Sequence, residues 1–171
     1  MFQESEHPRD PAGSSTGGRF TGGSGALRAY LTMYAGLHKG PKGATYSSVE
    51  DYVLKNGQAF ATPNGLPKGV RERALGMCYM NAYQLVDARS DLTYVEGFAT
   101  FRGVPMGHAW AVDAKNNVVD PTWAGKKNHK VDANTQYFGV KMKIDDVRKT
   151  IFARGKYGVL YNYEEKFPLL K

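Results

Sequence analysis

The chain has 171 residues, 42% of them hydrophobic, which suits one ordinary domain with a buried core. Its formal net charge is +7, but the lysines and arginines are scattered from Arg9 to Lys171 without a dense run, which favours a basic surface over a nucleic-acid groove. No stretch approaches the apolar length of a membrane span, and the polar N-terminus lacks the apolar core of a signal peptide.

A single cysteine, Cys78, cannot close an intrachain disulfide and fits a reducing compartment such as the cytoplasm. Four widely spaced histidines (His7, His38, His108, His129) and one cysteine give no ligand pair at useful spacing, so no metal is expected. Gly17-Gly18 and Gly22-Gly23 do not follow a strand pattern, which rejects a phosphate loop. No cofactor is expected.

Residues 1–25 are dominated by Gly, Ser, Thr, Pro and charge. Burial there gains too little to offset the entropy of ordering, so a disordered leader is expected, with a single domain over 26–171. The patterns His7-Pro8-Arg9-Asp10 and Gly17-Gly18-Arg19-Phe20 resemble tails of tailed-phage structural proteins. That resemblance implies a phage source, the host cytoplasm or a virion as location, and docking of a phage or host protein through the tail.

Residues 26–37 carry Leu27, Tyr30, Leu31, Tyr34 and Leu37 at helical spacing. A second helix is predicted over 48–55, with Ser47 or Ser48 as N-cap, acidic Glu50-Asp51 in the first turn and Gly57 past the end. Residues 58–69, with Pro63, Gly65, Pro67 and Gly69, read as a loop. The next helix ends near Ala88. Either it runs through Gly76, or Gly76 breaks it and a fresh helix starts at Met77 or Cys78. In the second case Cys78 meets the unpaired N–H groups and positive end of the helix, which favour a thiolate.

Strands are expected over 92–101, 107–113 and from 118 to 120, with Arg102-Gly103-Val104-Pro105 as a turn. The meander makes the sheet antiparallel. Residues 137–142 resemble a strand, 144–153 a helix closed by Gly155, and 157–163 a last strand. Helices first and antiparallel strands later indicate an α+β fold.

Cys78, His108 and Asp120 have the identities of a nucleophile, its base and the group that orients the base. Their approach depends on the turn after the His108 strand. Direct pairing of His108 with Asp120 centres the turn on Ala114. The Asn116-Asn117 turn signal instead pairs Asp120 with Asp113, which sets it roughly 17 Å along the strand from His108, so bringing the two together needs a turn near residues 113–115, or a bulge.

Cys at a helix start, then Tyr94-Val95-Glu96-Gly97, then Gly107-His108-Ala109-Trp110, then Val119-Asp120-Pro121-Thr122 resembles the transglutaminase-like core of the papain-like cysteine enzymes over residues 76–123. The resemblance implies a Cys helix packed on an antiparallel sheet, with Cys78 as nucleophile, His108 as base and Asp120 as orienting acid. It therefore favours the turn that unites His108 and Asp120. The family's second oxyanion donor lies upstream of the cysteine; Gln58 and Tyr46 are candidates by type, and Asn81 and Trp110 are candidates for lining.

The expected activity is that of a thiol-dependent hydrolase or acyltransferase. It would act on an amide of a protein or peptide, in the main chain or a glutamine side chain, through a thioester. The competing expectation is a non-catalytic phage virion protein or host-protein binder on an inactive scaffold.

Overall fold

The structure, a computed structural model, describes residues 25–171 except 41, 129, 163 and 164. The leader expected over residues 1–25 lies outside the described residues, Gly25 apart. The chain folds as α+β. Its helices are α1 (Ala26–Leu37), α2 (Val49–Asn56), α3 (Cys78–Asp87) and α4 (Ile144–Arg154). Its strands are β1 (Gln58–Phe60), β2 (Thr93–Phe101), β3 (Val104–Val112), β4 (Val118–Val119) and β5 (Tyr137–Met142), all paired antiparallel in the order β1-β5-β2-β3-β4. No helix among the described residues is long and apolar enough to cross a membrane.

Local chemistry sets the helix ends. The Ser48 hydroxyl accepts the Asp51 N–H at 3.2 Å and so caps α2, with Glu50 and Asp51 beside the positive end of its dipole. Gly76 takes φ 77°, a left-handed conformation that no helix interior admits, so the chain breaks there and α3 starts afresh at Cys78. Met77 at the N-cap offers no side-chain acceptor, so the first N–H groups of α3 are not capped from there.

Alternation along the strands divides the sheet into two faces. Tyr94, Ala109 and Ala111 pack under Ala82, Leu85 and Val86 of α3 and Val147 of α4. Farther along that face, Phe98 and Phe138 pack on Leu27, Leu31 and Val53 of α1 and α2. The opposite face carries Val95, Ala99, Trp110, Val112 and Tyr137, gathered with Phe60 and Trp123. Phe60 and Trp110 sit on β1 and β3, three strand spacings or about 14 Å apart in a flat sheet. Their ring centroids are 5.7 Å apart, so the sheet curls around this second face. Gly97 and Gly139 are register partners at the bend, and a Cβ on Gly97 would lie 2.3 Å from the Phe138 carbonyl oxygen. That close approach requires bare backbone.

Three sequence expectations need correction. Residues 58–60, read as loop, form β1, because β5 offers them an edge to pair with. Val104 and Pro105, read as turn, belong to β3. Arg102 and Gly103 alone make the turn, both left-handed at φ 49° and 76°, as a two-residue hairpin demands. Residues 157–162, read as a last strand, pair with no strand, because the Val159 and Leu160 N–H groups are taken by the Glu96 carboxylate.

Candidate active site

The β3–β4 hairpin brings His108 and Asp120 together by a turn within the expected 113–115 range, one residue beyond the direct pairing centred on Ala114. Ala111 pairs with Val119 and Val112 with Val118, which centres the turn on Lys115. The Asp113 carboxylate explains this turn. It accepts the Lys115 N–H at 2.8 Å, the Asn117 N–H at 2.9 Å and the Asn117 side-chain amide at 2.8 Å, while Asn116 takes φ 65°. Asp120 follows directly after β4, and His108 reaches it diagonally.

Asp120 is fully buried, and each carboxylate oxygen accepts two hydrogen bonds. Oδ1 takes the Thr122 N–H at 2.9 Å and the Trp123 N–H at 3.0 Å. Oδ2 takes His108 Nε2–H at 2.8 Å and the Tyr137 hydroxyl at 2.9 Å. These fill the acceptor sites of an ionised carboxylate. Asp-Pro-Thr-Trp thus acts as one unit: the carboxylate folds its own following turn, and the turn delivers Trp123. The indole stacks on the His108 ring, with centroids 3.8 Å apart and planes 18° from parallel. His108 is 1% exposed, held at its edge by Asp120 and on its face by Trp123.

Burial by itself disfavours an imidazolium. The Asp120 charge and hydrogen bond outweigh that, with a hydrogen-bonding and Coulombic contribution from Cys78, so His108 is raised to about 9. The Asp120 carboxyl, which burial alone would push up, is held below the ordinary value by the His108 charge and hydrogen bond, the Trp123 N–H and the Tyr137 hydroxyl. At neutral pH the pair is therefore imidazolium and carboxylate. Because Asp120 occupies Nε2, Nδ1 is the ring nitrogen left to face Cys78.

Cys78 is half-buried at the first position of α3. The segment before it is fastened to the turn after Asp120. The Arg73 N–H donates to the Pro121 carbonyl at 2.8 Å, and Asn128 Nδ2 donates to the carbonyls of Arg73 and Thr122 at 2.8 and 2.7 Å. Asn81 adds a second tie from within α3, its Nδ2 donating to the Ala74 carbonyl at 2.8 Å and to Thr122 Oγ1 at 3.0 Å. Cys78 and Asp120 are thus clamped together through backbone, not only through His108.

Cys78, His108 and Asp120 come together; the other sequence candidates divide. Asn81 is buried and joins the site as a tie, not as a lining residue. Trp110 is fully buried in the curled face beneath His108 and Tyr137, so it is core rather than wall. Gln58 lies exposed on β1, at the sheet edge opposite β4. Tyr46 packs against Tyr52 and under Lys55 beside α2. Neither is brought to Cys78 and His108, so neither sits where the sequence expectation put an oxyanion donor. Trp123 and Tyr137 went unassigned in the sequence reading. Trp123 had a readable signal, since it directly continues the Asp-Pro-Thr motif; the Tyr137 hydroxyl had none, because its partner lies 17 residues back across the sheet. Among the described residues no cluster of three or more His, Cys, Asp and Glu is arranged to hold a metal ion. Compared with family models, curated proteins and solved structures, the chain matches none of them.

Proposed function

We propose that this protein is a thiol-dependent hydrolase or acyltransferase of the transglutaminase-like, papain-like kind, acting on an amide through a thioester. The observation that carries this reading is the buried His108–Asp120 pair at 2.8 Å, with Cys78 at a helix start on the imidazole's remaining side. A structural histidine needs no such arrangement; an acid that must be charged at neutral pH does.

In the proposed reaction the Cys78 thiolate attacks the amide carbonyl carbon, and the C=O pair moves to oxygen. The oxyanion faces the first-turn N–H groups of α3. As the tetrahedral intermediate collapses, the C–N bond breaks and the departing nitrogen takes the His108 proton, leaving a thioester and neutral imidazole. Water, or an amine, then gives its proton to His108 and attacks the thioester, returning thiolate and imidazolium. Asp120 holds the tautomer and stabilises the charged ring throughout. Hydrolysis is favoured over transfer, since the sequence offers no second substrate site.

An activated ester tests this without knowledge of the natural acyl group. p-Nitrophenyl acetate should give a burst of nitrophenolate equal to the enzyme present, with an acetyl group on Cys78 by intact mass. Cys78→Ala should abolish burst and adduct with the fold retained. A burst that survives Cys78→Ala, or its absence in the folded wild-type protein, would reject the reading.

A further inference from the structure

Glu96 is a fully buried carboxylate that the proposed chemistry does not use. It stands in the middle of β2, on the face that α3 covers. Its Oε1 accepts the Tyr94 hydroxyl at 2.7 Å and the Val159 N–H at 2.8 Å, and its Oε2 accepts the N–H groups of Val159 and Leu160, each at 2.9 Å. The segment after α4 is thereby pinned to the sheet by a side chain. Its other side rests on residues adjoining the reactive pair. Gly158 lies against Tyr79, with the ring Cδ1 3.4 Å from where a Cβ would stand. A Cβ on Gly107 would lie 3.1 Å from the Tyr79 hydroxyl and 3.3 Å from Tyr161 Cε2. Tyr79 follows Cys78 in the chain, and Gly107 precedes His108.

We propose that Glu96 is a positioning residue that fixes residues 158–161 against α3, and that Tyr161 of this segment and Tyr79 of α3 form an aromatic wall beside Cys78 and His108 that selects by size what reaches the thiol. The proposal rests on the reading of Cys78 and His108 as the reactive pair. Glutamine at position 96 keeps the shape but offers one acceptor oxygen, and its NH2 opposes the N–H groups it should accept. The segment would then lose its anchor while the triad's own bonds stay intact.

The test compares alkylation of the single thiol by a small reagent, iodoacetamide, and a bulky one, N-(1-pyrenyl)maleimide, in wild type, Glu96→Gln and Tyr161→Ala, each checked for folding by thermal denaturation. The rate ratio of bulky to small reagent should rise roughly fivefold or more in both variants, a change of about 1 kcal/mol in discrimination. The iodoacetamide rate and its dependence on His108 should be preserved. An unchanged ratio in folded Tyr161→Ala overturns the wall. A raised ratio there but not in folded Glu96→Gln overturns the anchoring role. If Glu96→Gln does not fold, Glu96→Asp replaces it, keeping the charge but drawing it back by one methylene; if that also fails to fold, Glu96 is a folding determinant only and the proposal is rejected. An iodoacetamide rate indifferent to His108 in wild type instead counts against the reactive pair itself.

Discussion

Asp120 and Glu96 are both carboxylates with no exposed surface, on opposite faces of one curled sheet; burial pushes both up, yet their net shifts run in opposite directions. Asp120 faces a cation, and its carboxyl is held below the ordinary value. Glu96 faces backbone N–H groups and a phenol, with the Arg154 charge a lesser influence; all of these lower it, but burial prevails and raises it. Hydrogen bonds from neutral groups with a lesser influence from the Arg154 charge do not repay the desolvation of a carboxylate here, whereas hydrogen bonds that include one from a charged ring do. The difference separates the two roles: Asp120 is kept ionised to hold a charged ring, and Glu96 is built in to hold a piece of backbone.

The largest expected effect comes from breaking the charged member of this comparison. Asp120→Ala leaves the His108 ring buried with no counter-charge, and loss of one partner from a buried pair costs about 3–5 kcal/mol. Urea denaturation should show that loss, with His108 driven neutral.

Stability against pH sharpens the comparison. His108 is raised from 6.5 to about 9 on folding, so its contribution is fully present below 6.5 and lost as pH rises through about 9. The Asp120 value is lowered, so its contribution is present above the unfolded value and lost as pH falls through the folded one. A fall in stability on the order of 3 kcal/mol is expected between pH 6.5 and about 9, and His108→Gln should flatten it. Glu96, also raised, loses its contribution as pH rises from the ordinary carboxylate value through its own folded value. Glu96→Gln should therefore remove a fall that starts at more acid pH than the one His108→Gln removes. One common slope for both variants would contradict the distinction.

Smaller effects follow from the ties. Asn81→Ala removes the donor shared by the Ala74 carbonyl and Thr122, at a cost of about 1–2 kcal/mol, and should slow the ester burst as Cys78 loosens from the Asp120 turn. Ser48→Ala removes the α2 cap for about 1 kcal/mol and, being remote from Cys78, should leave the burst unchanged.

How far these features were legible in the sequence depended on where their partners lay. The helix over 26–37 was readable from its side-chain period and the strand over 137–142 from its strand-like composition. So was the gathering of Cys78, His108 and Asp120, through order and flanking motifs. The hairpin turn was legible only to within residues 113–115, because a single side chain, Asp113, organises it around Lys115. The fate of residues 157–162 was not legible. They have strand composition, but their N–H groups are claimed by Glu96, more than 60 residues earlier. A charged residue in the middle of an otherwise apolar strand was the available signal, since such residues are buried only when something pairs with them.

The measurement that tests the central claim most directly is the alkylation rate of Cys78 by iodoacetamide at pH 7, read by intact mass, in wild type, His108→Ala and the urea-unfolded chain. With one cysteine in the chain, every adduct reports on the same residue. An unassisted thiol is only a few per cent thiolate at that pH. The account predicts a wild-type rate about tenfold or more above the unfolded chain, falling to the unfolded rate in His108→Ala. A wild-type rate at or below that of the unfolded chain, unaffected by His108→Ala, would contradict a reactive thiolate–imidazolium pair.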